Sequence, residues 1–181
     1  MDRSLDRLAV PISSWFFCFI IGIIMAYRFL VLYLSSLNLH FDEAQYWLWA
    51  QQLEWGYFSK PPMIAWGIAL QQWLFGEHVV VLKSLALFVY PLTASVIYAT
   101  ARHIYDREVA IYSALLFFTM PAVSLASFII STDVFLLFFW ALSIWIVTLA
   151  VDSERLDYWL WAGFFAGCGL LTKYTMLLFL P

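Results

Sequence analysis

Five stretches of apolar residues, each close to the length of a bilayer crossing, recur along this chain and restrict its fold more than any other feature. The first runs from Ile12 to Leu37, interrupted by Arg28 and a few small polar residues. Val79 to Thr100, Val109 to Ile130 and Val134 to Val151 follow, and a fifth begins near Tyr158 and continues to about residue 180. A spanning helix needs roughly 20 such residues. The first run is too long for the apolar centre of a secretory signal, about 7–15 residues, and has no small-residue cleavage site, so it reads as a retained anchor. Composition agrees, with 65% hydrophobic and 12% charged residues where soluble domains carry roughly a quarter charged. The expected fold class is all-α, a polytopic transmembrane helical bundle.

Residues 38–76 differ from the rest. They hold Trp47, Trp49, Trp55, Trp66 and Trp73 with Tyr46 and Tyr57, in apolar runs too short and too interrupted to cross a bilayer. Tryptophan and tyrosine favour the headgroup level, where an apolar ring and a hydrogen-bonding tip are both satisfied. The pattern predicts two or three short interfacial helices. The first places Asp42, Tyr46, Trp49 and Leu53 on one face by helical spacing. Pro61-Pro62 cannot sit inside a helix but can start one, which puts Lys60 at the corner of a turn.

Lysine and arginine counts in short loops set orientation. With alternating spans, Arg3, Arg7, Arg102, Arg107 and Arg155 share one side and Lys60 is alone on the other, five against one. The N-terminus is therefore expected in the cytoplasm. Asp42, Glu43, Lys60 and the turn Ser131-Thr132-Asp133 then share the outer face. The net charge of −3 is small and the basic residues are scattered, which gives no footprint for nucleic acid.

Charges at or inside apolar surroundings are costly, so each asks for a reason. Asp42 and Glu43 read as helix-start acids or as members of a polar site, and Asp133 as the N-cap of the fourth span or another member. Lys60 reads as snorkelling or as a site cation. Arg28 and Lys83 reach lipid phosphate or form a cationic wall for a phosphate-bearing substrate. Lys173, in Gly-Leu-Leu-Thr-Lys-Tyr, pairs with an acid or caps a broken helix near a substrate. His40, His78 and His103 lack metal-ligand spacing, and Arg102, Asp106, Arg107 and Glu108 read as a solvated loop. Cys18 and Cys168 lie in apolar runs without a CxxC or histidine partner and read as small buried hydrophobes. Gly163, Gly167 and Gly169 offer close packing in the fifth span.

The ordered set Asp42-Glu43-x-x-Tyr46, Lys60-Pro61-Pro62 with Trp66, Ser131-Thr132-Asp133 and Gly169-Leu-Leu-Thr-Lys173 resembles the membrane glycosyltransferases of the GT-C class. It is most similar to glycosyltransferase family 39, with its protein O-mannosyltransferases and the bacterial aminoarabinose transferase acting on lipid A. The resemblance implies hexosyl or pentosyl transfer from a polyprenyl-phosphate sugar donor to a lipid or protein acceptor, on the outer side of a membrane that is expected to be the bacterial inner membrane. It implies Asp42 as base, Glu43 and Asp133 as groups orienting hydroxyls, and Lys60 at the donor phosphate. Tyr46, Tyr57 and Trp66 would stack on sugar or line a lipid groove, with Arg28, Lys83 and Lys173 as further substrate-binding cations.

Members similar to the aminoarabinose transferase carry an acid before the Lys-Pro pair, associated with a metal. Ser59 stands there in this chain, so a divalent metal is left open and no ligand set is assigned. Family members are several times longer, and the expectation is the N-terminal portion of a GT-C transmembrane domain, without the soluble C-terminal domain. Two other classes compete: a component that transports or flips a lipid-linked substrate, and an inactive structural membrane subunit. Transport would be favoured by an internal repeat, and the aromatic stretch from Asp42 to Phe75 has no counterpart later in the chain.

Overall fold

Helices dominate because the chain has to satisfy its backbone within itself wherever it meets lipid. The computed structural model describes residues 14–35, 37–153 and 155–179, so Arg3, Arg7 and the start of the first apolar run lie outside the described residues. Eight α-helices follow in order: α1 (Ser14–Leu34), α2 (Phe41–Gln51), α3 (Met63–Phe75), α4 (Val79–Ile104), α5 (Arg107–Thr119), α6 (Pro121–Ala126), α7 (Thr132–Ser153) and α8 (Leu156–Leu170). A short 3₁₀ segment, Tyr174–Phe179, completes the described chain, and there is no strand among the described residues.

Three of these helices are long and apolar enough to cross a membrane: α1 within Phe17–Leu34, α4 and α7. The chain is an integral membrane protein. The third and fifth apolar runs are broken instead of continuous. At 1.5 Å per residue, α5 spans about 20 Å and α8 about 22 Å, short of the roughly 30 Å hydrocarbon layer. Pro121, at the first turn of α6, lacks an N–H and ends the α5 ladder. The fifth run unwinds at residues 171–173 before the 3₁₀ segment.

Helix α4 is the hub, packing against α1, α3, α5 and α7, while α8 lies along α7 and α2 lies along α3. The main core joins Tyr90 and Ala94 of α4 to Ala114 and Phe118 of α5, Val123 of α6 and Val134 of α7. A second core, Tyr46, Ala50, Ile64, Ile68, Leu82 and Ile130, seats the α2–α3 layer on the bundle. Close approach there is permitted by Gly67, where a Cβ would come within 2.5 Å of the Phe135 ring. In α8 only Gly169 serves such a contact, with Met176, whereas Gly163 and Gly167 face open space, so the expectation for those two is corrected. Cys18 is exposed and Cys168 half-buried, both as free thiols, so neither is fully buried as its apolar run implied.

The 38–76 segment forms two short helices, as its aromatic pattern predicts. The set expected on one face of the first helix loses Leu53, which lies beyond its end at Gln51. Helix α2 turns Glu43, Tyr46 and Ala50 inward and leaves Asp42 exposed. Pro62 caps α3, which starts at Met63 directly after the Pro-Pro pair. At the opposite end of the bundle, the His103 and Asp152 side chains meet at 2.6 Å and tie α4 to α7.

Candidate active site

The Asp-Glu pair that opens α2 divides its two carboxylates between different environments. Asp42 is exposed and takes part in no hydrogen bond or ion pair among the described residues. Glu43 is fully buried. Its Oε2 accepts from the His40 backbone N–H at 2.7 Å and from Lys83 Nζ at 2.6 Å, and its Oε1 accepts from the Ile130 N–H at 2.9 Å. Lys83, also buried, reaches the Phe128 carbonyl at 3.4 Å. Both groups are occupied by the protein. Lys83 therefore does not snorkel to lipid but pairs with Glu43, and both residues line a cavity of about 600 Å³ with His40, Leu125 and Phe128.

Asp133 lies in the first turn of α7, where a carboxylate complements the helix dipole. Its Oδ1 accepts from Lys173 Nζ at 2.7 Å, with both side chains partly open to solvent. Lys173 reaches this position because α8 ends three residues earlier, at Leu170. The same break frees the Leu171 carbonyl, which accepts from the Met63 N–H at 2.9 Å and so anchors the start of α3 to α8. Three residues before Met63 is Lys60, half-buried on top of the buried Pro61-Pro62 pair, with no ion-pair partner among the described residues.

Tyr46 links the two exposed acids. Its phenol is nearly buried, and burial, followed by the negative charges of Asp42 and then Asp133, raises its pKa above the ordinary value. The other aromatic candidates shape the loop between α2 and α3. The Tyr57 hydroxyl lies 2.9 Å from the Trp49 carbonyl and 3.0 Å from that of Gln52, and accepts from the Glu54 N–H at 3.2 Å. Its ring stacks on Trp49 at 4.7 Å. Trp66 Nε1 donates to the Glu54 carbonyl at 3.1 Å, and its ring meets Trp55 edge-on.

Arg28 is buried away from this rim. Its guanidinium donates to the Phe118 carbonyl at 2.7 Å, Ser124 Oγ at 2.7 Å and Ser127 Oγ at 3.1 Å, and covers the Phe118 ring at 4.3 Å. It braces the break between α5 and α6 and does not reach outward to lipid. A cavity of about 350 Å³ between α4, α5 and α7 is lined by Thr93, Ile97, Phe117 and Trp140 among others, and carries no charged residue. Among the described residues, no three His, Cys, Asp or Glu side chains gather as a metal site, and Ser59 is exposed.

The sequence expectations thus separate into two groups. The structure brings Asp42, Tyr46, Asp133 and Lys173 together, and seats the turn carrying Lys60 beside the α8 break. Residues 59–181 match the family described as dolichyl-phosphate-mannose-protein mannosyltransferase. The chain belongs to this family. It is a GT-C glycosyltransferase fold in which the mannosyltransferase-family motifs sit at helix starts and helix breaks. A lipid A galacturonosyltransferase of Rhizobium johnstonii is 34% identical over 156 residues, covering 86% of this chain and 33% of that protein. An undecaprenyl phosphate-alpha-4-amino-4-deoxy-L-arabinose arabinosyl transferase of Erwinia tasmaniensis is 28% identical over 140 residues, covering 75% and 25%. The chain therefore spans a third or less of the length of these relatives. No solved structure matches it significantly.

Two structural features of this family member had weak signals in its sequence. Gly67 is an isolated glycine in an apolar helix, and the Met63–Leu171 backbone contact leaves no side-chain trace. Only the Gly-Leu-Leu-Thr-Lys run hints that α8 stops early.

Proposed function

We propose that this chain carries the catalytic face of a glycosyltransferase that moves a sugar from a polyprenyl-phosphate donor to a lipid or protein hydroxyl. The observation that carries this reading is the division of charges. Among the described residues, Glu43–Lys83 and Asp133–Lys173 are ion pairs, while Asp42 and Lys60 have no ion-pair partner. An unpaired carboxylate and an unpaired ammonium are the two groups the reaction calls for. The acceptor oxygen attacks the anomeric carbon as the bond from that carbon to the phosphate oxygen breaks. The lipid phosphate departs with the electron pair, and the hydroxyl proton passes to Asp42. Phosphate leaves without needing a proton, so positive charge at Lys60 stabilises it as its own charge grows. Asp133, held by Lys173, accepts from a sugar or acceptor hydroxyl, and the Tyr46 phenol donates between the two acids.

The relatives' names support the chemistry, since one is a lipid A galacturonosyltransferase and the other takes its sugar from undecaprenyl phosphate. The loop charge count supports a site on the outer face of a bacterial inner membrane. The test is sugar transfer from a polyprenyl-phosphate donor in membranes carrying the intact gene. Asp42→Asn is expected to lower turnover by about 10²–10⁴, the range for loss of a general base, with membrane insertion unchanged. Normal turnover in that variant removes Asp42 from the base role.

A further inference from the structure

Glu43 adjoins the proposed base, yet its own carboxylate is buried and makes three charge-assisted hydrogen bonds to three different parts of the chain. The His40 N–H belongs to the entry of α2, Lys83 to the spanning helix α4, and the Ile130 N–H to the irregular stretch after α6. Ile130 lies three residues before Asp133, and the Ser131 carbonyl receives the Val134 N–H at 3.2 Å, so the position of this stretch sets where α7 begins. One rigid carboxylate thus ties the residue after Asp42 to the backbone just ahead of Asp133. We propose that Glu43 is a positioning residue that, with Lys83 as its counter-ion, sets the spacing of the Asp42 and Asp133 carboxylates across the site.

The geometry accounts for the residue types. An N–H in the non-helical stretch after α6 needs an acceptor wherever water is scarce, and a carboxylate offers two oxygens to three donors at once. Glutamine would turn an NH₂ group toward Lys83 or Ile130, setting donor against donor. Aspartate keeps the charge opposite Lys83 but is one methylene shorter, so it cannot hold all three donors. Lysine at position 83 supplies the opposite charge that a buried carboxylate requires. This inference rests on the transfer reading for its kinetic consequence and on geometry alone for its structural one.

Spin labels at Phe41→Cys and Leu137→Cys, both exposed positions outside the site, report the α2-to-α7 spacing in a background where Cys18 and Cys168 are serine. Glu43→Gln and Glu43→Asp are each expected to broaden the distance distribution. In the intact gene product, both should lower kcat by about tenfold or more, with KM for the donor changed by less than about twofold, as misplacement of reacting groups does. A residue that only supports folding would reduce yield and thermal stability yet leave the surviving protein with a narrow distribution and normal kcat. That result overturns the proposal, as does failure of both variants to accumulate in the membrane. Broadened distances in a protein whose unsubstituted form transfers no sugar would sink the transfer reading and leave the positioning role standing.

Discussion

Two lysine–carboxylate pairs of similar length, 2.6 and 2.7 Å, serve different ends because water reaches one and not the other. The Glu43 and Lys83 side chains are 0% and 4% exposed, whereas those of Asp133 and Lys173 are 51% and 31% exposed. Removing one partner of a buried pair strands the other charge, at a cost of about 3–5 kcal/mol, while solvated pairs contribute about 0–1 kcal/mol. Lys83→Met is therefore expected to lower thermal stability and membrane yield severely, and Lys173→Met to leave both nearly unchanged. For Lys173→Met the loss should appear in sugar transfer, through an Asp133 that is free to turn. Unfolding of the two variants in the same detergent checks the contrast, and equal destabilisation would show that burial does not decide the value of these pairs. The sequence marks all four residues as unusual. It cannot pair them, because each partner lies 40 residues from the other and only the packing of α2, α4, α7 and α8 brings them together.

Helix breaks place the chemistry at the next scale. The third apolar run stops at Thr119 because Pro121 cannot donate to the preceding turn, and the last carbonyls of α5 are left without helical partners. Arg28 of α1 donates to one of them, that of Phe118. The serine hydroxyls it also touches have backbone partners of their own, Val123 for Ser127 and Thr119 for Ser124. Arg28→Met should therefore act mainly by orphaning the Phe118 carbonyl, a loss of about 1–3 kcal/mol for a buried unpaired acceptor. Arg28→Lys is expected to recover part of it, and thermal unfolding of both variants measures the difference. An unchanged midpoint in Arg28→Met would mean that the break holds without the bracing side chain. Apolar run length was enough to locate this element but not to see it interrupted, since Pro121 alone can either kink a helix or end it. In the 38–76 segment, by contrast, the Pro61-Pro62 pair and the tryptophan spacing carried both the number of helices and the start of α3. The burial of Glu43 is not legible in the sequence because the residue reads as polar, and only its contacts with Lys83 and Ile130 make it a core residue.

At the scale of the whole molecule, every residue proposed to touch substrate lies at one end of the bundle, and the His103–Asp152 contact with the exposed α4–α5 turn lies at the other. Helices α4 and α7 fix this polarity. Each is long enough to cross a membrane, and the chain returns between them through α5 and the broken stretch before Asp133. That arrangement suits a donor whose lipid tail must stay in the bilayer while its phosphate meets Lys60 at the surface. The loop arginines, five of which oppose Lys60 in the sequence, predict that the Lys60 end faces outward, because translocation disfavours positively charged short loops. Single cysteines in a background with Cys18 and Cys168 replaced by serine test this orientation. Ser59→Cys, next to Lys60 and exposed, should react with a membrane-impermeant maleimide in intact bacterial cells whose outer membrane admits the reagent. Glu108→Cys, exposed near the start of α5, should react only after the inner membrane is permeabilised. The opposite pattern would put Asp42 and Lys60 on the cytoplasmic side. It would rule out transfer on the outer face even if Asp42 remained the base.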